Sequence, residues 1–200
     1  MNYVDYFQMG SLMVFLSIFF GRTFWLKRKG TEVIRLGSGK KGFPALLEKS
    51  FLIFFPLWLL QIFIHSLNLK VQFLPDLVTK PFFTGALVQS AGVFMISAGI
   101  LLFIGSLVSF KTSWRIGIDT VAPGGLITTG VFSVSRNPIF LSMDMYFLGT
   151  FLICSNLFFL LCFIGMACGF HFQIRQEEAF LNARYGNHYR EYMTQVHRYF

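Results

Sequence analysis

The chain alternates long apolar runs with short polar, mostly basic segments. Met9 to Leu26 is apolar apart from Arg22, whose side chain is long enough to carry its guanidinium to an interface. Phe51 to Leu67 holds His65 as its one ionisable group, and Phe82 to Phe110 has no charged residue. A hydrocarbon core of about 30 Å takes roughly 20 helical residues. Each run therefore predicts a crossing, the second near the lower limit of length and the third long enough to tilt or project. Ile139 to Phe170 carries only Asp144. As a single helix it would be about 48 Å long, too long for one span, and the polar pair Ser155-Asn156 predicts a tight turn in its middle. The pattern thus describes an all-α membrane bundle of five spans, with spans four and five forming a hairpin whose first arm is short.

Composition agrees with a lipid solvent. A hydrophobic share of 54%, 27 phenylalanines and only 13% charged residues do not suit a soluble core of 200 residues. The net charge of +8 is not a nucleic-acid footprint, because the cations lie between apolar runs and form no face interleaved with stacking aromatics. Their distribution orients the spans. Five spans place Arg22, Lys27 to Lys29, Arg35, Lys40, Lys41, Lys49, Lys111, Arg115, Arg136, Arg175, Arg184, Arg190 and Arg198 on one side, and only Lys70 and Lys80 on the other. Lysine and arginine favour cytosolic loops, so the N-terminus is expected outside and the C-terminus in the cytosol. Asp5 and the lack of a cationic leader argue for a retained first span.

Span three repeats Gly85, Gly92, Gly99 and Ser106 at seven-residue spacing, with Ala91, Ala98 and Gly105 beside them. Small residues along one seam let helices approach closely, so packing is expected here before ligand contact. Cys154, Cys162 and Cys168 form no CxxC pair and read as small apolar residues. His65, His171, His188 and His197 have no metal-ligand spacing; no metal is expected.

Chemistry concentrates after span three. Lys111 to Asn137, with Trp114, Pro123-Gly124-Gly125 and Gly130, is polar and glycine-rich, as suits irregular backbone that lines a cavity or the membrane surface. Pro138 stands where span four begins, a position at which its missing N–H costs nothing, and it brings Arg136 and Asn137 to the entrance of that helix. Past span five come Arg175, Glu177 and Glu178, then Leu181, Tyr185-Gly186, Tyr189 and Tyr192. Adjacent carboxylates leaving a membrane helix call for a cation nearby. Asp144, about two turns into span four, is costly in lipid and is expected to face the bundle. Tyr189, Tyr192, Val196, Tyr199 and Phe200, mixed with Arg190 and Arg198, predict a helix lying in the membrane interface.

These blocks, Leu126-Ile127-Thr128-Thr129-Gly130-Val131-Phe132, Ser135-Arg136-Asn137-Pro138-Ile139-Phe140 and Glu177-Glu178-x-x-Leu181 with Tyr185-Gly186-x-x-Tyr189-x-x-Tyr192, resemble the isoprenylcysteine carboxyl methyltransferase and phospholipid methyltransferase superfamily. The resemblance covers roughly Trp114 to Tyr192. It implies an S-adenosylmethionine site built from Leu126, Ile127, Gly130, Phe132 and the Asn137-Pro138-Ile139-Phe140 turn, with Glu177 or Glu178 on the cofactor's polar end. It also implies a lipophilic acceptor entering from the bilayer, oriented or neutralised by Arg136 or Arg175. Residues 1–110 would then be three spans with a basic cytosolic loop, and 111–200 the catalytic half, in a multi-pass protein of a bacterial inner membrane. Against the eukaryotic pattern, Gly124 and Asn137 replace histidines, and Phe132 and Phe140 replace tyrosines whose hydroxyls could each contribute about 1 kcal/mol. The expected reaction is methyl transfer in one in-line displacement. With no evident histidine base, a carboxylate acceptor, which needs no proton removed, is favoured over an amine. A nicotinamide-dependent membrane lipid reductase and a non-catalytic scaffold of the same fold are the competing readings.

Overall fold

The computed structural model describes residues 2–30, 43–110 and 125–200. The expected basic loop after span one and the stretch with Trp114, Pro123 and Gly124 fall largely outside these residues. Among those described the fold is helical: α1 (Tyr3–Arg28), α2 (Phe43–Ser66), a single turn α3 (Asp76–Thr79), α4 (Ala86–Phe110), α5 (Pro138–Cys154), α6 (Leu157–Tyr185) and α7 (Asn187–Gln195), with a 3₁₀ turn at Gly130–Ser133. Of these, α1, α4 and α6 are long and apolar enough to cross a membrane, while Ile53–Ser66 of α2 and all of α5 are shorter apolar helices.

Local chemistry sets the helix ends. Asn2 and Asp5 form a capping box at the start of α1, and Lys27 and Arg28 occupy its last turn, where cations suit the negative end of the helix dipole. Arg22 snorkels along α1 to donate to the Leu107 carbonyl near the end of α4, at 3.2 Å. The hairpin turn lies at the expected pair. Ser155 adopts a left-handed conformation (φ 43°) after α5, and the Asn156 side chain caps α6 by accepting from the Phe159 N–H at 3.1 Å. The approach to α4 is tied to this tip: the Phe82 N–H donates to the Ser155 carbonyl at 2.6 Å, and Asn156 donates to the Thr79 carbonyl at 3.3 Å. Those bonds hold Phe82 and Phe83 out of helix, so α4 begins at Ala86 rather than Phe82.

The glycine seam of α4 packs on α5. A Cβ added at Gly92 would sit 2.7 Å from the Gly149 carbonyl oxygen, and one at Gly99 would sit 2.8 Å from that of Ser142; the backbones touch because nothing intervenes. Opposite the seam, Leu87, Phe94, Leu101 and Val108 also recur every seven residues, each more than two-thirds exposed. Such a stripe would be an aggregation hazard in water, and is simply the solvent-facing side in hydrocarbon. The protein is a membrane protein.

Candidate functional site

The hairpin is antiparallel, so the start of α5 and the polar end of α6 meet at the end of the bundle opposite the Ser155-Asn156 tip. The apolar part of α6 ends near Phe172, and the helix continues without a break through Arg175, Glu177 and Glu178 to Tyr185. Gly186 then turns the chain with φ 56° and ψ −124°, a combination open to glycine alone in practice. That turn folds α7 back, so that Tyr189, Tyr192 and Val196 are buried with Leu126, Leu181 and Tyr185 against them. The expected interfacial helix is therefore shorter than predicted. Its tyrosines pack into protein, and Val196 leaves helix for an extended tail.

That tail closes on the entrance of α5. The Arg136 N–H donates to the His197 carbonyl at 3.0 Å, and Arg136 Nη1 donates to the Val196 carbonyl at 2.7 Å and the Met193 carbonyl at 3.3 Å. Glu178, 6% exposed, is the hub. Its Oε1 accepts from Arg136 Nε at 3.0 Å and Asn137 Nδ2 at 3.1 Å and pairs with Arg136 Nη2 at 3.0 Å. Its Oε2 accepts from Arg198 Nε at 2.9 Å and Nη2 at 2.7 Å. Burial alone would raise the Glu178 carboxyl, but hydrogen bonds from Arg198 and Arg136, the Arg136 charge and the Asn137 amide outweigh it and hold the group below its ordinary value. The same bond to Glu178 raises Arg198. Asn137 makes no side-chain cap to α5, its amide being turned instead to Glu178 and to the Arg198 carbonyl, at 3.2 Å.

The other predicted residues surround this cluster to differing extents. Phe132 is buried, sits edge-on to Phe110 at 4.8 Å, and its carbonyl accepts from the Tyr192 hydroxyl at 2.5 Å. Burial pushes that phenol up to about 12. Pro138 occupies the first turn of α5 as expected, Ile139 packs towards Leu26, Phe103 and Leu107, and Phe140 lies 5.5 Å from Phe170 of α6. Gly130 has φ 67° with Ser109 against it, so no side chain fits there. Ile127 is half-buried beside Leu126. Glu177 accepts from Gln173 at 3.1 Å, one turn earlier on α6. Arg175 is exposed and lines a cavity of about 230 Å³ with Glu178, Ala179, Asn182, Met193 and Arg198.

Arg136, Asn137 and Glu178 thus come together, and Arg175 stands at the cavity beside them. The residue not anticipated is Arg198. It has no motif spacing, and its part in the cluster follows only from the path of the tail. No group of metal-ligating side chains occurs among the described residues.

Among curated proteins none matches the chain. The family model described as phospholipid methyltransferase matches residues 89–188, half of the 200 residues, and its span takes in the α4 seam, the whole hairpin and the Arg136–Glu178 pair. The chain belongs to the phospholipid methyltransferase family.

Proposed function

We propose that the protein transfers a methyl group from S-adenosylmethionine to the headgroup nitrogen of a membrane phospholipid, at the end of the hairpin where α5 begins and α6 leaves the membrane. The observation that carries this reading is the meeting of two distant sequence blocks, Arg136-Asn137 and Glu178, in one buried cluster beside a cavity, within the part of the chain that matches the family.

The donor set suits the amino-acid end of the cofactor. The cavity wall offers the guanidinium group of Arg175 for a carboxylate, in the planar geometry that such pairing favours, while Arg198 lines the same wall with its Nε and Nη2 given to Glu178. Glu178 is already surrounded by Arg136, Asn137 and Arg198, so its part is to hold both arginines in place; Glu177 is assigned the cofactor's ammonium. Leu126, Ile127, Gly130, Phe132 and the Asn137 to Phe140 turn form the proposed wall for the remainder. When bound, S-adenosylmethionine supplies an electrophilic methyl group on sulfur. The chain supplies proximity and alignment between a water-borne cofactor and a lipid-borne acceptor. The family's phospholipid description supports an amine acceptor over the carboxylate that the sequence favoured.

Calorimetry on detergent-purified protein should detect S-adenosylmethionine binding, weakened about tenfold or more by Arg175→Ala, equivalent to about 1.4 kcal/mol. Vesicles carrying the protein and methyl-labelled cofactor should yield labelled phospholipid. Binding of a nicotinamide instead, or of neither cofactor, would sink the reading.

A further inference from the structure

We propose that Asp144 is the group that receives the ammonium of the acceptor headgroup and removes its proton. The inference rests on the methyltransferase reading above. Asp144 is the sole carboxylate in the apolar part of the hairpin. Its Oδ1 is buried and has no hydrogen-bond partner among the described residues. Positions three and four apart share a helix face, so Asp144 lies on the same face of α5 as Phe140 and Phe147, whose rings both rest near Phe170 of α6, at 5.5 and 6.4 Å. Asp144 therefore faces α6 at the level of Phe170. The next residue, His171, shares a hydrogen bond of 2.7 Å between its Nδ1 and the Tyr199 hydroxyl, and the Asp144 charge acts on that same tyrosine. One group each from α5, α6 and the tail converge there.

A carboxylate left unpaired in apolar surroundings is costly. Of the arginines at this end, Arg136 and Arg198 are bound to Glu178, and Arg175 lines the cavity beside them and makes no hydrogen bond to the buried Asp144 Oδ1. A cation arriving with a ligand completes the site. A lipid ammonium meets the requirement, because its acyl chains keep it at the depth of the hairpin and its charge matches Asp144. Asp144 stands seven residues along α5 from Asn137, about 10 Å at helical rise, between the polar cluster and the lipid-facing core. In the proposed step one N–H bond of the ammonium breaks and an O–H bond forms on Asp144, the nitrogen keeping the electron pair that methyl acceptance requires. The proton leaves to water at the bundle end, where His171 is exposed.

The test uses the full chain, its Asp144→Asn variant and its Asp144→Glu variant in vesicles of phosphatidylethanolamine and phosphatidylglycerol with methyl-labelled S-adenosylmethionine. Asp144→Asn should bind the cofactor as wild type does yet methylate the amine lipid about 100-fold more slowly, with Asp144→Glu restoring part of the rate. Without cofactor, wild type purified from mixed lipids should retain phosphatidylethanolamine over phosphatidylglycerol by native mass spectrometry, and Asp144→Asn should lose that preference. Unchanged methylation and retention in Asp144→Asn overturn the assignment and leave the enzyme reading intact. Lost cofactor binding in that variant makes Asp144 structural and also overturns it. A wild type that labels no amine lipid overturns both.

Discussion

Glu178 illustrates how a single side chain can be placed by sequence and explained only by structure. Its carboxylate collects donors from Arg136, Asn137 and Arg198, and removing one partner of a buried pair leaves the others uncompensated. With Glu178 and Arg136 side chains 8% and 10% exposed, Glu178→Gln should lower stability by about 3 kcal/mol, measured by thermal unfolding in detergent. Arg198→Ala should cost less, about 1 kcal/mol, because that side chain is 37% exposed and water screens its charge. The sign of the pH dependence follows from the lowered Glu178 value. A carboxyl held below its ordinary value of about 4.5 stabilises fully above that value and loses the contribution as pH falls through the lowered one. Unfolding scans at successively lower pH should therefore show a loss of stability below about pH 4.5 that is absent in Glu178→Gln. Arg136, Asn137 and Glu178 were legible because each stands in a motif. Arg198 was not, since a lone arginine in a tail carries no periodicity.

At the scale of helices, the seven-residue repeat of small residues in α4 declared a packing seam but not its partner. The partner is α5, through Gly149 and the Ser142 carbonyl. A Cβ at Gly149 would lie 2.6 Å from Ile96 Cγ1 and 2.7 Å from the Gly92 carbonyl oxygen, contacts that the backbone must relieve by moving. Gly149→Ala should therefore destabilise the bundle by about 1–3 kcal/mol in the same detergent assay. Gly21 of α1 has nothing within 4 Å of its added Cβ, so Gly21→Ala should be neutral or stabilise by up to about 1 kcal/mol through helix propensity alone. Helix existence was readable from apolar runs, and the hairpin turn from two polar residues in a run too long to span once. Helix ends were less so. The start of α4 depends on bonds to Ser155, and α6 extends well past the apolar run into the polar end that bears Glu178.

For the whole molecule, α7 and the tail bind the end of the hairpin rather than lying apart from it. Deleting Val196–Phe200 removes the Val196 and His197 carbonyl acceptors of Arg136, the Arg198 carbonyl acceptor of Asn137 and the Arg198–Glu178 pair at once. Hydrogen exchange should then speed up at Ser135 to Leu141 while the α4–α5 seam near Gly99 stays protected, because local opening follows local contacts. Equal acceleration at both places would show that the tail supports the entire bundle. The amino-acid sequence by itself determined the solvent, the helical class, the hairpin and the identity of the polar blocks, because length, hydropathy and turn chemistry are properties of neighbours along the chain. Only the tertiary structure decided that Arg136 and Glu178 lie 3.0 Å apart, that Arg198 completes their cluster, and that Tyr189 and Tyr192 face protein rather than lipid. Those contacts join residues far apart in sequence, and they arise from how the helices stack and where Gly186 redirects the chain, which no local pattern encodes.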